Sequence, residues 1–348
     1  MAHRPSTIRV YGPMPPPVVG LSRVTAAVTD RVRDRAGDRV VVFDTTDSVS
    51  LPVRLRRLLH GLVSLLLARR RAGAVYVGGA GGELLWYQVL VVALARAAGH
   101  RVLFHHHNYS YLHTPSRAMA TLTRLGTSCT THVVLGETMA ADLQRLYPSA
   151  RHTLVCSNAG LMPPAEPGAR RERDGTVVLG HLSNLTVEKG LDVVLDTTRA
   201  LLAEGRDVRL VLAGPCFSDE AQALVDAAVR DLGPAIEVTG PVPQDRVDEV
   251  YRRIDLFVLP SSYANETEPL VVLDAMRLGV PCLALDTGCV REVVGDDHVV
   301  TDARDFGDLV RRHLDAEPES AAQVAERFTQ RRETALEAQQ RLVDQVVG

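Results

Sequence analysis

Short β-branched segments alternate with longer helical segments along most of this chain, and this alternation restricts its fold more than any other feature. Short apolar runs are typical of strands that are buried on both faces of a parallel sheet. Parallel strands that are joined by helices form βαβ units with right-handed crossovers. The chain is therefore predicted to be an α/β protein with doubly wound sheets.

Two sets of runs fit this strand pattern. In the first half of the chain the predicted strands are Ile8 to Tyr11, Val40 to Phe43, Ala74 to Val77, Val102 to Phe104, His132 to Leu135 and Leu154 to Cys156. In the second half they are Thr176 to Leu179, Val208 to Ala213, Glu237 to Thr239, Leu256 to Leu259 and Cys282 to Leu285. The clearest helices predicted between the strands are Leu51 to Arg71, Glu83 to Ala98 and Glu137 to Tyr147.

The length of the chain indicates two domains, because 348 residues exceed what one hydrophobic core usually supports. Residues 160–175 are rich in proline, glycine and charge and have no periodicity, as expected of a linker. We predict a first domain at residues 1–165 and a second at residues 172–324, each doubly wound. The polar helical tail, residues 325–348, is predicted to pack back on the first domain.

The composition excludes several classes of protein. Hydrophobic residues make up 46 % and charged residues 23 %, and a net charge of −3 provides no positive field for nucleic acid. The five cysteines are odd in number and form no CxxC pair, which argues against a disulfide framework and a zinc site. The N-terminus lacks the apolar core of a signal peptide, and the run from Leu58 to Ala68 is too short to span a membrane. We expect a cytoplasmic protein.

Lysine is almost absent from the chain. Of 39 basic residues, only Lys189 is a lysine. Where arginine has replaced nearly every lysine, the remaining one is expected to do something that a guanidinium cannot. It lies in the segment Gly180 to Asp196, where a strand leaves through a polar loop and Lys189-Gly190 opens a helix.

A second segment, residues 259–285, places two acidic residues eight positions apart. A polar loop with Glu266 follows a strand, and a helix that a proline opens contains Asp274. The backbone N–H groups near Leu270 and Val271, at the start of that helix, would face an anion such as a diphosphate.

This segment resembles the E-x7-E motif of the family 4 retaining glycosyltransferases of the GT-B fold, the glycosyl transferases group 1. The match covers both acidic positions, with Asp274 where the family mostly has glutamate and Thr267-Glu268-Pro269 where it commonly has Gly-Phe-Gly. The resemblance extends over nearly the whole chain. It implies two Rossmann-like domains facing a central cleft, with Glu266 near the sugar of a nucleotide sugar and Asp274 near its ribose.

The segment around Lys189 is also similar to that family. The resemblance implies that Lys189 neutralises the diphosphate oxygens and stabilises the leaving group, a task for preorganised positive charge. The family commonly has an arginine upstream, where this loop has His181, Ser183 and Asn184. Ser183 and Asn184 are therefore predicted contacts of the donor.

Weaker matches add further donor contacts. The segment Tyr11 to Thr25 resembles the family's glycine loop with one glycine missing, and Gly20 would let the backbone approach the phosphate or sugar. Gly214-Pro215 and Val242 follow two strands at positions where the family's second domain holds the phosphate and base.

Three consecutive histidines lie in the segment Leu103 to Tyr111, which resembles the His-x-His segment on the family's acceptor side. Neighbouring side chains point in different directions and no carboxylate or cysteine has ligand spacing, so a metal site is not predicted. His105 and His107 would share a side, and His107 with Asn108 is predicted to lie near the sugar or acceptor. A purely structural histidine cluster remains the alternative.

Two further features are interpreted as lying outside the site. The run Gly78 to Gly82 follows a strand, but Leu84 stands where a GxGxxG motif needs glycine, so a dehydrogenase is not expected. The basic stretch Arg54 to Arg71 is predicted to be a domain helix with solvated arginine ends. Its alternative is peripheral contact with an anionic membrane surface, at the inner face of the membrane.

The chain is thus predicted to transfer a sugar, with retention, from a nucleotide-diphosphate sugar to a hydroxyl acceptor in glycan, glycolipid or secondary-metabolite biosynthesis. The predicted catalytic residues are Lys189, Glu266 and His107. The resemblance implies that no metal or other cofactor and no dedicated nucleophile is needed. Two alternatives stay open, a nucleotide-sugar epimerase of the same architecture and a non-catalytic sugar-nucleotide-binding subunit.

Overall fold

Two parallel sheets organise the chain in the computed structural model, which describes residues 7–17, 19–46, 50–67, 73–167 and 175–348. The strands of the first sheet are β1 (Ile8–Gly12), β2 (Val40–Asp44), β3 (Ala74–Gly79), β4 (Arg101–His106), β5 (Thr130–Val134) and β6 (Thr153–Val155). Those of the second sheet are β7 (Val177–Leu182), β8 (Val208–Ala213), β9 (Ile236–Gly240), β10 (Leu256–Leu259), β11 (Cys282–Leu285) and β12 (Val299–Val300).

Helices connect the strands in both halves of the chain. Those of the first half are α1 (Gly20–Ala36), α2 (Leu51–Leu67), α3 (Leu84–Ala97), α4 (Ser110–His113), α5 (Arg117–Gly126) and α6 (Glu137–Leu146). Those of the second half are α7 (Leu191–Ala203), α8 (Asp219–Leu232), α9 (Val247–Tyr251), α10 (Leu270–Arg277), α11 (Val290–Val294), α12 (Phe306–Asp315) and α13 (Ala321–Val347).

The strand order makes both sheets doubly wound. The first sheet has the order β2-β1-β3-β4-β5-β6 and the second the order β12-β11-β10-β7-β8-β9, with parallel pairing throughout. The predicted α/β class with two Rossmann-like sheets is confirmed. In such sheets ligands bind beyond the carboxyl ends of the strands at the point where the order reverses. In the second sheet that point lies between β7 and β10.

The chain divides into two units, one formed by Met1–Leu161 with Glu333–Gly348 and the other by Met162–Arg332. The second unit begins ahead of the predicted position 172, because the described start of the predicted linker packs within it. Glu166 N donates to Arg277 O at 3.0 Å, and Arg332 Nε donates to Met162 O at 2.9 Å. Residues 168–174 of that linker lie outside the described residues.

The core of the second unit lies on both faces of its sheet. Strand β10 is buried at every position, as expected for a central parallel strand. Leu179, Leu212 and Val258 of the sheet share one cluster with Leu195 of α7 and Phe306 of α12. This packing fixes the ends of β7 and β10, from which the candidate site is built.

The predicted elements differ from the observed ones mainly at their ends. Strand β4 runs on through His105 and His106, which pair with Gly78 and Gly79 of β3, so two of the three histidines lie in the sheet. Helix α2 is described to Leu67, and the rest of its predicted range lies outside the described residues. The two-residue strand β12 was not predicted.

Candidate functional site

The loops after β7 and β10 meet at the point where the strand order of the second sheet reverses. Gly190, which follows β7, has a φ of +81° and lies against Pro260, which follows β10. A Cβ atom at Gly190 would overlap the Pro260 carbonyl oxygen, so only glycine allows this approach. Ser262 N also donates to Glu188 O at 2.9 Å. The two loops are thereby held together beyond the strand ends.

This contact brings Lys189 and Glu266 together. Lys189 Nζ lies 2.5 Å from Glu266 Oε2, with side chains 22 % and 10 % exposed respectively. Ser261 Oγ donates to the same carboxylate oxygen at 3.0 Å, and the ammonium lies 4.5 Å from the centre of the Tyr263 ring. Both groups are partly accessible to solvent. The ammonium can therefore bind an anion while the carboxylate beside it accepts a hydrogen bond from a hydroxyl group.

Helix α10 begins beside this pair. Its first backbone hydrogen bond runs from Val272 N to Pro269 O at 3.1 Å, so the N–H groups of Leu270 and Val271 precede the helical pattern. Pro269 is the residue before the helix rather than part of its first turn. Leu270 and Val271 are half-buried. The N-terminus of this helix can therefore receive an anion.

Asp274 lies inside α10, as predicted, and its side chain is 5 % exposed. The Nε atom of Arg277 lies 4.0 Å from its Oδ1 atom, and Arg277 also forms an ion pair with Asp248. Sequence reasoning did not identify Arg277 as the partner of Asp274. Their spacing of three residues on a helix could have indicated it.

The other predicted donor contacts of the second unit lie at the ends of β7, β8 and β9. Gly214 has a φ of +128° and packs so closely on the Ser183 backbone that a Cβ atom would overlap the Ser183 carbonyl oxygen. Pro215 O accepts from Leu185 N at 2.9 Å, just after Asn184.

Val242, which is half-buried, follows β9. The structure thus places Val242 on the same edge of the sheet as Lys189 and Gly214.

His181 lies in β7 rather than in the loop that follows it. Its Nδ1 atom donates to Val258 O at 2.9 Å, so in the neutral ring Nε2 accepts from Ser183 Oγ at 2.8 Å. Burial lowers the pKa of His181 to about 4. His181 is therefore an uncharged hydrogen-bond partner of Ser183. It does not supply the positive charge of the arginine that the family commonly has upstream of the position of Lys189.

The loop that carries Glu266 is anchored to the last helix. Glu268, whose side chain is fully buried, accepts from Arg331 Nε at 2.9 Å and from Nη2 at 2.7 Å. Arg331 Nη1 donates to Glu292 O at 3.0 Å. The departure from Gly-Phe-Gly noted in the sequence therefore introduces a buried ion pair two residues from Glu266.

In the first unit, the histidine segment forms a buried hydrogen-bond network. His105 bonds Tyr76 Oη through Nδ1 at 2.8 Å, and its ring centre lies 4.1 Å from that of His107. His106 bonds Tyr111 Oη at 2.8 Å and His132 Nδ1 at 2.9 Å. Burial lowers the pKa of His105 and His106 well below its ordinary value.

The sequence predicts His105 on the acceptor or sugar side together with His107, but the structure buries His105 to 1 % exposure. His105 instead supports His107, whose pKa burial lowers to about 3. Asn108 Oδ1 accepts from Ser110 N at 2.9 Å and from Ser110 Oγ at 2.5 Å, so its side chain is held by the first residue of α4. A Cβ atom at Gly81 would overlap the Asn108 amide, which explains part of the glycine run by packing.

Gly20 is the first residue of α1, and a Cβ atom there would meet no neighbouring atom within 4 Å. The fold itself therefore does not require glycine at this position. Its predicted role toward a ligand stays a prediction.

Among the residues that the structure describes, no group of three or more histidine, cysteine, aspartate or glutamate side chains could hold a metal ion. None of the helices in the described ranges combines the length and the apolar character that crossing a bilayer requires.

The sequence of this chain is similar to those of known glycosyltransferases. Residues 164–331 match the model of the family described as glycosyl transferases group 1. The chain is 29 % identical over 211 residues to the D-inositol 3-phosphate glycosyltransferase of Streptosporangium roseum, covering 56 % of this chain and 46 % of the relative. It is 28 % identical over 169 residues to the alpha-D-kanosaminyltransferase of Streptomyces kanamyceticus, covering 47 % and 42 % respectively. The chain thus spans less than half the length of these curated relatives.

Solved structures match over almost the entire chain. Anabaena HepE in complex with UDP has a TM-score of 0.70 at 15 % identity, covering 97 % of this chain and 98 % of that one. The lipopolysaccharide outer core galactosyltransferase WaaB in its apo form has a TM-score of 0.71 at 15 % identity, covering 97 % and 99 %. These similarities show a GT-B fold. Residues 164–331 are thus similar to the glycosyl transferases group 1.

Proposed function

We propose that this protein transfers a sugar from a nucleoside-diphosphate sugar to a hydroxyl-bearing acceptor. The donor occupies the edge of the second sheet beyond β7 and β10. The observation that carries the proposal is the 2.5 Å contact between Lys189 and Glu266, beside the N-terminus of α10. A cation, a carboxylate and free helical N–H positions converge there at the reversal point of the sheet.

Each group has a role in this proposal. Lys189 and the N–H groups of Leu270 and Val271 bind the diphosphate and stabilise the charge that develops on the leaving phosphate. Glu266 accepts hydrogen bonds from sugar hydroxyls. When the donor binds, the diphosphate replaces Glu266 as the partner of Lys189, which releases the carboxylate for the sugar.

Asp274 accepts from the ribose hydroxyls, and Arg277 Nε lies 4.0 Å from its carboxylate on α10. Ser183, Asn184, Gly214, Pro215 and Val242 supply the surrounding wall for the phosphate and base. Asp274 is one methylene shorter than glutamate, so its carboxylate lies closer to the backbone of α10.

We further propose that transfer retains the anomeric configuration and uses no metal. The leaving phosphate accepts the proton of the acceptor hydroxyl, so no carboxylate nucleophile is required. Lys189 supplies the positive charge that a metal ion supplies to phosphates in other enzymes.

Two features support a nucleotide sugar as donor. The curated relatives are named as transferases of sugars, and HepE structures are described in complex with UDP and with UDP-glucose. UDP and UDP-glucose are therefore the first ligands to test.

The acceptor is assigned to the first unit. His107 and Asn108 lie at the end of β4, and Gly20 opens α1 after β1. Because burial lowers its pKa to about 3, His107 is neutral near pH 7 and offers hydrogen bonds rather than charge. We place the reaction in the cytoplasm, in line with the five cysteines, all in described ranges, forming no disulfide.

The test is a panel of UDP, GDP and ADP sugars, measured by thermal stabilisation and by transfer or hydrolysis. Lys189→Ala is expected to lower transfer by on the order of 100-fold or more and to weaken donor binding. Arg230→Ala, which removes an exposed cation of α8, is the matched control. Turnover of the donor to an epimer without acceptor would instead show an epimerase, and binding without turnover would show a non-catalytic subunit. Unchanged donor affinity in Lys189→Ala would refute the proposed site.

A further inference from the structure

Helix α2 turns its apolar side toward solvent. Within Leu51–Leu67, all of which the structure describes, only Gly61 and Leu65 are buried. Six large apolar side chains of this helix are between 46 % and 82 % exposed: Leu51, Leu55, Leu59, Val63, Leu66 and Leu67. We refer to these six residues as the α2 apolar face. A helix of a folded domain normally buries such a stripe, and exposed apolar surface of this extent marks an interaction site.

The neighbouring helix α3 presents two more exposed apolar side chains. Trp86 and Leu90 are 52 % and 53 % exposed, and their spacing of four residues puts them on one side of the helix. Helices α2 and α3 are in contact at Tyr87, whose Oη donates to Leu58 O at 3.2 Å. The exposed apolar surface is therefore a property of two adjacent helices.

The charged side chains of α2 are all basic, whereas Glu83, three residues before Trp86, is an exposed acidic residue at the start of α3. Arg54, Arg56 and Arg57 lie on α2, and the sequence holds no acidic residue between Asp47 and Glu83. Arg57 is paired with Asp44, whereas Arg56 is exposed at the border of the apolar face. An apolar face bordered by arginines is complementary to a surface that is anionic outside and apolar inside.

We propose that the α2 apolar face, with Trp86 and Leu90, docks this protein on an anionic lipid bilayer. The leucines enter the boundary between headgroups and acyl chains, the arginines contact lipid phosphates, and the tryptophan lies at the interface. A second copy of the chain fits less well, because a two-fold contact through α2 would bring the Arg56 side chains of both copies onto one interface. The surface lies in the first unit, and the proposal stands independently of the proposed transferase reaction.

The chain carries its own probe of this contact, because Trp86 is its only tryptophan. The full chain is mixed with vesicles of phosphatidylcholine alone or of phosphatidylcholine with phosphatidylglycerol. With the anionic vesicles, Trp86 emission is expected to shift to shorter wavelength and to be quenched by brominated acyl chains. Added salt is expected to weaken binding, since arginine contacts to headgroups are screened.

Variants test whether this surface, and not another part of the molecule, binds the vesicles. Leu55→Glu with Leu59→Glu is expected to weaken vesicle binding by about tenfold or more, because two apolar anchors are lost. Arg56→Ala is expected to weaken binding to anionic vesicles only. Val229→Glu adds a charge at an exposed valine of α8 in the second unit and is the matched control.

Thermal unfolding of each variant verifies that the fold is intact. If the double variant Leu55→Glu with Leu59→Glu still co-sediments with anionic vesicles, the proposal is wrong. An unshifted Trp86 spectrum with anionic vesicles would also overturn it. A third outcome is that the parent chain forms a dimer and does not bind vesicles, and that the double glutamate variant is monomeric. The α2 apolar face would then bind a second copy of the chain instead of a membrane.

Discussion

Lys189 Nζ and Glu266 Oε2 lie 2.5 Å apart, so the only lysine of the chain is paired with the carboxylate proposed to meet the sugar. A diphosphate must compete with Glu266 for this ammonium. The two residues are thus coupled, and changing one alters what the other can bind.

Glu266→Gln is expected to separate binding from transfer. Loss of the carboxylate frees Lys189, so UDP affinity should stay equal or rise up to about fivefold, the value of a partly exposed ion pair. Transfer should fall on the order of 100-fold, because an acceptor for the sugar hydroxyls is lost. Calorimetry with UDP and an initial-rate assay measure the two effects. Weaker UDP binding in this variant would contradict the exchange of partners.

Gly190→Ala is expected to destabilise the second unit and impair donor binding. The positive φ alone costs about 1–2 kcal/mol, and the overlap with Pro260 adds to it. Gly205→Ala is the matched control, because Gly205 has a φ of +79° with nothing within 4 Å of a Cβ atom. Urea unfolding and UDP binding should show a smaller loss of stability and unchanged binding for Gly205→Ala. Equal behaviour of the two variants would argue against the contact between the loops.

Glu268→Gln is expected to lower the free energy of unfolding by about 3 kcal/mol, because it leaves Arg331 without its charged partner at a buried site. The comparison is Asp302→Asn, which breaks the exposed pair with Arg304 and should leave the free energy of unfolding nearly unchanged, because solvent screens this pair. Denaturant titrations of both variants provide the measurement. A similar small loss for both would show that Glu268 does not anchor the loop to α13.

Acid is expected to destabilise the first unit through His132. Burial, followed by repulsion from His152, lowers the pKa of His132 from 6.5 to about 4. Below pH 6.5 the unfolded chain therefore binds a proton that the folded chain rejects, and the free energy of unfolding falls with pH until about pH 4. The contribution is up to about 1.4 kcal/mol per pH unit.

His132→Gln should reduce the slope of stability against pH in this window. His113→Gln, at an exposed position, is the matched control. Denaturant unfolding at a series of pH values gives the slope, and an equal slope in parent and His132→Gln would show that this ring does not contribute.

Transfer is expected to persist in excess EDTA, since the proposal assigns the charge on the diphosphate to Lys189. The measurement is the initial rate with and without chelator, followed by addition of magnesium or manganese. Loss of activity with EDTA that either ion restores would show that Lys189 and α10 are not sufficient.

The sheets could be predicted from the sequence because buried parallel strands carry their signal locally. Strands β8, β10 and β11 have the predicted bounds, and residues 164–331 match the model of the predicted family. Strand ends were less certain where polar residues continue a strand. His105, His106 and His181 looked like loop residues because their partners, Tyr76, Tyr111 and Val258, are distant in sequence.

Long-range pairing also explains what was missed at the site. The loops that carry Lys189 and Glu266 could be named from motifs, but their contact depends on Gly190 against Pro260, 70 positions apart in the numbering. The pair of Glu268 with Arg331 joins an altered motif to a distant helix. The segment that forms α2 was predicted to be an ordinary domain helix. The sequence shows that its apolar residues lie on one side of the helix, but it does not show whether that side faces the core or the solvent.

The last helix has a consequence for synthesis of the protein. Residues 333–348 of the chain belong to the first unit, where Ala335, Leu342 and Val346 are buried and a Cβ atom at Gly160 would lie 2.9 Å from the Ala335 backbone. During translation, the first 161 residues leave the ribosome while these core residues are still unmade. The first unit therefore completes its hydrophobic core only after the entire second unit has been translated.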